Sequence, residues 1–323
     1  MSALRVAVIG AGDFGVRHLE AYRRAGAEVA AIADTDRARA ERVAARHGVP
    51  RWFTDGAELL DAVRPHAVSV VTPSATHVPL ALAALDAGCA VLLEKPVADD
   101  RRRLRLLREH PAADRVMPAH VLRFDPAYLE LRDRFRSGAI GELRALEAHR
   151  HRESGHRTRY PAADPAGLTA VHDIDLAGWI AGWPPDPVPV SARGLDTGQD
   201  LGGYVHAVLS PAPGVLWSIT AGWLLAPDSG GWDRLTLHGS AGSLTVTAAG
   251  GRYEVLHDGR PVAAGSRPEA PGLDGTIGHF LAAVHAGEPF TVPLDEAWAG
   301  LGLVEAVCRS ARAAGAPVGW SSA

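Results

Sequence analysis

The 323-residue sequence contains no asparagine, one glutamine (Gln199) and one lysine, Lys95, among 33 basic residues. Its two cysteines, Cys89 and Cys308, are too few and too far apart for a disulfide framework or a zinc site, which predicts a reducing cytoplasm and no bound metal. No apolar run reaches the ~18 residues that span a bilayer. Met1-Ser2-Ala3 leads directly into a predicted strand, leaving no room for a signal peptide. A net charge of −4 lacks the basic footprint of a nucleic-acid binder. These absences predict a soluble, cytoplasmic protein with neither a nucleic-acid nor a membrane partner. What is present, 47% hydrophobic and 22% charged residues, suits an ordinary globular enzyme of two domains.

The lone lysine carries more information than its number suggests. A composition that has replaced lysine with arginine almost everywhere retains Lys95 in Leu93-Glu94-Lys95-Pro96, directly after the apolar run Cys89–Leu93. Arginine's planar fork cannot imitate a compact, rotatable ammonium, so a lysine at this position is read as functional.

Up to residue 121, short apolar runs alternate with Ala/Leu/Arg-rich helical segments. Strands are predicted at Leu4–Ile9, Val29–Ala33, Ala67–Thr72, Cys89–Leu93 and Val116–His120. The intervening helices are predicted at Phe14–Arg24, Arg37–His47, Ala57–Val63, His77–Ala87 and Arg101–Glu109. This alternation predicts an α/β fold, a doubly wound parallel sheet over residues 1–121. From residue 122 to 323 the pattern changes to an α+β domain. Helices are predicted at Pro126–Arg136, Thr169–Ala181, Asp274–Ala286 and Leu294–Ala313, around a mostly antiparallel open-faced sheet. Pro184-Pro185-Asp186-Pro187 reads as a stiff connector within it.

Gly10-Ala11-Gly12-Asp13-Phe14-Gly15 follows a strand and opens a helix. Gly10 permits the tight turn, Gly12 lets a pyrophosphate approach the backbone, and Gly15 allows close helix–strand packing. Asp34 ends the second strand, where a carboxylate accepts both ribose hydroxyls and repels a 2′-phosphate. NAD is therefore predicted, with NADP as the alternative because Arg37 is close by. Thr72-Pro73 ends another strand, and His77 opens the helix after it.

With Gly10–Gly15, Asp34, Thr72-Pro73 and Glu94-Lys95-Pro96 in order, the chain resembles the glucose–fructose oxidoreductase/inositol dehydrogenase/MocA family. Leu122-Arg123-Phe124-Asp125-Pro126-Ala127-Tyr128 and His172-Asp173-Ile174-Asp175-Leu176 extend the resemblance nearly end to end. It implies a Rossmann domain followed by a substrate-binding and oligomerisation domain, in a homodimer or homotetramer. The implied activity is hydride transfer between NAD(P) and a secondary alcohol or ketone of a sugar, sugar derivative or cyclitol. The cofactor set it implies comprises Gly10, Gly12, Asp13, Phe14, Gly15, Asp34, Thr72, Pro73, His77, Glu94 and Lys95. Lys95 would polarise the reacting oxygen and His172 would take its proton, since an alcohol losing hydride must also lose its hydroxyl proton. Asp175 would contact substrate hydroxyls.

One departure stands out: Leu168 occupies the position, four residues before the histidine, where many relatives carry an Asp. Asp173 and Asp164 are the candidates to replace it, the alternative being that the His172–Lys95 pair suffices. A second unusual feature is the run His149–Tyr160, with four arginines and three histidines. Read as a segment at the pocket mouth, it makes Arg152 and Tyr160 candidate substrate ligands, and an acidic or nucleotide-linked sugar becomes a candidate substrate. The rival reading of the run is a solvated loop or subunit contact. Val205, Leu209, Trp217, Ile219 and Trp223 are read as packing or a subunit interface. Rival functions are a non-catalytic dinucleotide-sensing regulator, NAD-assisted elimination or glycoside cleavage, and imine reduction.

Overall fold

The computed structural model describes residues 4–184 and 187–321, so part of the predicted Pro184–Pro187 connector and the N-terminal Met1-Ser2-Ala3 lie outside the described residues. The first elements are β1 (Arg5–Ile9), α1 (Asp13–Arg24), β2 (Glu28–Ala33), α2 (Arg37–Arg46), β3 (Trp52–Phe53) and α3 (Gly56–Val63). They continue with β4 (Ala67–Val70), α4 (His77–Asp86), β5 (Ala90–Leu93), α5 (Arg101–Arg108) and β6 (Val116–Pro118). Among the described residues these strands form a six-stranded sheet in the order β3-β2-β1-β4-β5-β6, and every neighbouring pair is parallel. β4 and β5 are buried at every position, which is why their sequences run apolar without alternation. The strand order reverses between β1 and β4, so their carboxyl ends form the switch point where open α/β sheets bind ligands, with the end of β2 beside it.

The later elements are α6 (Pro126–Arg136), β7 (Leu143–Glu153), α7 (Gly155–Arg159), α8 (Val171–Ala181), β8 (Val188–Gly194), β9 (Tyr204–Ala212) and β10 (Val215–Leu225). They are followed by β11 (Trp232–Gly239), β12 (Gly242–Ala249), β13 (Arg252–His257), β14 (Arg260–Ser266), α9 (Leu273–Ala286), α10 (Leu294–Arg312) and β15 (Val318–Trp320). Among the described residues they build a nine-stranded sheet, β14-β13-β12-β11-β7-β10-β9-β8-β15, antiparallel except where β7 meets β10. Helices α6 and α8 pack on one of its faces. Val205, Leu209, Trp217, Ile219 and Trp223 are all buried within the chain, which fits packing and removes them as an interface.

The chain divides into two compact units. One runs to Val121 and regains Gly272–Ala297; the other comprises Leu122–Pro271 and Trp298 onward. The simple division at residue 121/122 therefore needs one correction: α9 returns to the first unit. It packs along α1, and Arg24 pairs with Asp274 at 2.6 Å. Periodicity identifies α9 as a helix but does not say which sheet it covers. No helix among the described residues is long and apolar enough to cross a membrane.

Candidate active site

In the first unit the glycine loop meets the steric demands of a dinucleotide cradle. Gly10 has φ +108°, and a Cβ there would lie 2.1 Å from the Val71 carbonyl oxygen; one on Gly15 would lie 1.9 Å from that of Gly10. Gly12 differs, since a Cβ would meet nothing within 4 Å, and the open space is where a pyrophosphate approaches. Helices α2, α3, α5 and α6 are capped by the side chains of Asp36, Asp55, Asp100 and Asp125. α1 starts from Gly12 with no side-chain cap, so its first N–H groups can serve an anion instead. Asp13 and Phe14 lie exposed in its first turn.

Asp34 follows β2 with its carboxylate already oriented. Oδ2 accepts from the Ala11 N–H at 2.8 Å and Oδ1 from the Asp36 N–H at 2.9 Å. The nearby arginine is not the expected one. Arg37 stacks over Trp52 at 5.4 Å, and Arg39 reaches Asp34 at 3.3 Å and Asp36 at 3.3 Å. The two arginines are only two residues apart, a little over half a turn of α2, so they leave opposite sides of the helix and only Arg39 reaches the strand end. Asp34→Ser is expected to shift the ratio of NAD to NADP dissociation constants toward NADP by about tenfold or more, because it removes the repelling carboxylate and leaves Arg39 for the phosphate. Calorimetric titration with each cofactor measures this; an unchanged ratio would sink it.

Thr72 and Pro73 lie just beyond β4, where the Thr76 hydroxyl is 2.8 Å from both Thr72 Oγ1 and the Pro73 carbonyl oxygen. His77 and Glu94 were expected among the cofactor ligands, but both are buried and engaged inside the protein. The His77 ring bridges two strand ends, with Nε2 2.7 Å from the Thr72 carbonyl oxygen and Nδ1 2.8 Å from that of Pro96. Burial pulls its pKa below the ordinary histidine value. Glu94 contacts His18 through Oε1, 3.1 Å from Nε2, and accepts from the Lys95 N–H through Oε2 at 3.0 Å. These two residues hold the loops that carry Thr72 and Lys95. The Lys95–Pro96 peptide is cis.

In the second unit His172 is half-buried in the first turn of α8. The helix begins earlier than its pattern suggests, through a π-helical turn over Ala166–Ala170 that contains Leu168. Such turns occur preferentially at functional sites. Neither proposed replacement for the missing Asp is available. Asp173 is buried and doubly bonded by Arg150 at 2.8 and 2.9 Å. Asp164 bonds the Gly167 N–H, and its other oxygen faces Arg312 at 3.2 Å and the Cys308 thiol at 3.4 Å. Burial and the Asp164 carboxylate push that thiol far above its usual pKa, leaving it inert.

Asp175, the expected hydroxyl contact, is 2% exposed and held bidentately by Arg123 at 2.5 and 2.9 Å. Three residues along a helix set Asp175 beside His172, but the Arg123 guanidinium occupies its carboxylate. Tyr160 is 37% exposed, with its ring 5.8 Å from that of His156. His156 in turn lies 6.0 Å from Trp223, whose indole N–H donates to Thr169 in the π turn at 2.8 Å.

The Arg/His run is not a loop. Its first half is the end of β7, a central strand, and strand alternation sends Arg150 into the core and His149 and His151 to the open face. Arg150 contacts Asp233 at 2.7 Å as well as Asp173, and its Nη2 lies 3.1 Å from the Tyr128 hydroxyl. Arg152, expected to clamp substrate, is tied to Asp233 at 2.6 Å and to its neighbour's carbonyl oxygen at 2.8 Å. Arg267 adds contacts to Asp233 and Asp125, each at 2.8 Å. Arg157 pairs with Asp200 at 2.6 Å. Asp233 and Arg267 were not singled out in the sequence, and the framework roles of Arg123 and Arg150 were not foreseen; the one available signal was the spacing of Arg150 two residues after the apolar Ala148 and four after Leu146. Among the described residues no group of His, Cys, Asp or Glu side chains could hold a metal ion.

Comparison with known proteins adds two matches to family models. Residues 4–115 match the oxidoreductase family with an NAD-binding Rossmann fold, GFO_IDH_MocA, and residues 128–245 match the GFO/IDH/MocA C-terminal domain. Inositol 2-dehydrogenase 2 of Saccharopolyspora erythraea is 34% identical over 312 residues, 92% of this chain and 89% of that protein. The UDP-N-acetylglucosamine 3-dehydrogenase from Acidithiobacillus ferrooxidans superposes with a TM-score of 0.80 at 26% identity, covering 97% of this chain and 99% of that one. A scyllo-inositol dehydrogenase from Lactobacillus casei, solved with NAD(H) and scyllo-inositol, shares the fold at 18% identity and a TM-score of 0.83, over 98% of this chain and 99% of that one.

Proposed function

The chain belongs to the Gfo/Idh/MocA family of NAD-dependent oxidoreductases that act on CH–OH groups, and on that footing we propose that its substrate is an uncharged polyol, a cyclitol or neutral sugar. The observation that carries this reading is the fate of the arginines. Arg150, Arg152 and Arg157 are each matched by Asp173, Asp233 or Asp200. A carboxylate or diphosphate would have to compete with those carboxylates for them. A polyol needs only hydrogen-bonding groups.

The residues available for the chemistry are Lys95 and His172. The Lys95 ammonium would donate to the reacting oxygen and stabilise the charge that grows there as the alkoxide forms. His172, whose residue type titrates near neutrality, would accept the hydroxyl proton or return it in the reductive direction. NAD, when bound, accepts the hydride from the carbinol carbon, and the Gly12 backbone with the uncapped start of α1 would hold its diphosphate. Leu168, four residues before His172, has no group that could carry a proton or orient the imidazole. Self-association into a dimer or tetramer belongs to the same proposal. The open face of the nine-stranded sheet, with Trp232 38% exposed beside His151, supports it.

The test is NADH formation by the purified protein with myo- and scyllo-inositol, neutral hexoses, sugar acids and nucleotide sugars. We expect kcat/KM for a neutral polyol to exceed that for any acidic analogue by about tenfold or more, the equivalent of ~1.4 kcal/mol. Turnover confined to sugar acids or nucleotide sugars would refute it. NAD binding without turnover on any substrate would favour the sensing regulator.

A further inference from the structure

A buried chain of side chains runs from α1 to the turn that carries Lys95. The Tyr22 hydroxyl lies 2.7 Å from Ser69 Oγ, Ser69 Oγ lies 3.0 Å from His18 Nδ1, and His18 Nε2 lies 3.1 Å from Glu94 Oε1. The last link is the Lys95 N–H donating to Glu94 Oε2 at 3.0 Å. Tyr22, Ser69 and His18 are fully buried and Glu94 is 7% exposed. One arrangement of protons satisfies every member. Tyr22 donates to Ser69, Ser69 donates to Nδ1 of a neutral imidazole, and the Nε2–H donates to an ionised Glu94. Burial by itself would raise the Glu94 carboxyl, yet its contacts with His18 first, and the charge and backbone N–H of Lys95 after them, outweigh it and hold the group below the ordinary carboxylate range.

A buried carboxylate so completely tied down has a purpose beyond filling space, because a same-shaped apolar residue would stabilise the core with no desolvation cost. We propose that Glu94 is a positioning residue for Lys95, its fixed carboxylate setting the direction of the Lys95 turn and keeping the ammonium charged. Just past the end of β5, Glu94 is buried while Lys95, at the bend that follows, is half-exposed. The far flank of the turn is held independently by His77 on the Pro96 carbonyl. Together the two contacts link the nucleotide-binding helix α1, the Thr72 loop and the lysine. The inference rests on the reading of Lys95 as the acting lysine, but its test does not need turnover.

Lys95 is the only lysine in the sequence, so reductive methylation with a 13C label marks one side chain besides the α-amino terminus, and its titration can be followed by NMR. In Glu94→Gln we expect the Lys95 titration to move to lower pH by about one unit, since an ammonium loses its stabilising neighbour. The kcat is expected to fall about tenfold, with the KM for NAD nearly unchanged. His18→Leu, which leaves Glu94 in place but removes its donor, is expected to move Lys95 the same way by a smaller amount. It carries the test if Glu94→Gln does not fold. An unmoved Lys95 titration in either folded variant overturns the proposal, and a loss of kcat with an unmoved titration assigns Glu94 a packing role only.

Discussion

Lys95→Ala is expected to lower kcat/KM on the best polyol by about 10²–10³-fold while NAD still binds with an affinity within about tenfold of the parent. That range is the loss seen when one preorganised donor to a developing oxyanion is removed. The residue's setting explains why the loss should fall on chemistry. Lys95 is partly exposed, its backbone is held by Glu94, and the glycine cradle and Asp34 that fit the nucleotide are separate groups. Lys95→Arg is expected to restore little, because a planar fork cannot occupy the place of a compact ammonium. Steady-state NADH formation alongside calorimetric NAD binding checks both halves. A Lys95→Ala variant within tenfold of the parent would remove the lysine from the mechanism.

The second large effect concerns stability. Asp233 receives Arg150, Arg152 and Arg267 at 2.6 to 2.8 Å while 2% exposed. Asp233→Ala strands three guanidinium groups around an empty seat and is expected to cost about 3–5 kcal/mol, the penalty for breaking a buried ion pair from one side. Urea denaturation at neutral pH measures it; a loss under about 1 kcal/mol would mean that solvent reaches the network. Acid provides an independent reading. Burial alone would raise the Asp233 carboxyl, but the three arginines outweigh it and hold the group far below the ordinary carboxylate range. Asp173 moves the other way, because its burial, with the Asp233 charge adding to it, outweighs the pairing with Arg150. A group whose folded pKa is depressed contributes its full stability above the unfolded value near 3.9, and that contribution drains away as pH falls through this region toward the folded value. Asp233→Asn should therefore lose less stability than the parent between about pH 5 and pH 3.

Most of the first unit is legible from local signals. Apolar runs of four or five residues between amphipathic helices admit few structures, and a glycine loop between strand and helix has one obvious use. Lys95 is visible because the arginine-rich composition makes any lysine conspicuous. The second unit is less legible. Residues His149 to Glu153 look like a polar loop, since the buried positions of a strand are ordinarily apolar and here one of them is an arginine. β14, with residues alternating between exposed and half-buried, gives no apolar stripe to find.

The sequence alone determined most strands and helices of the first unit and where a nucleotide can approach the backbone, because each depends on residues within a few positions of one another. Tertiary structure decided what the charges do. Asp233 stands directly across the β7–β11 ladder from Arg150 although 83 residues separate them, and Asp175 meets an Arg123 that is 52 residues away. Such pairings depend on strand register and helix docking, which the burial of apolar faces throughout the unit sets. Three of the four arginines that read as a substrate clamp in one dimension, Arg150, Arg152 and Arg157, are in three each paired with a carboxylate.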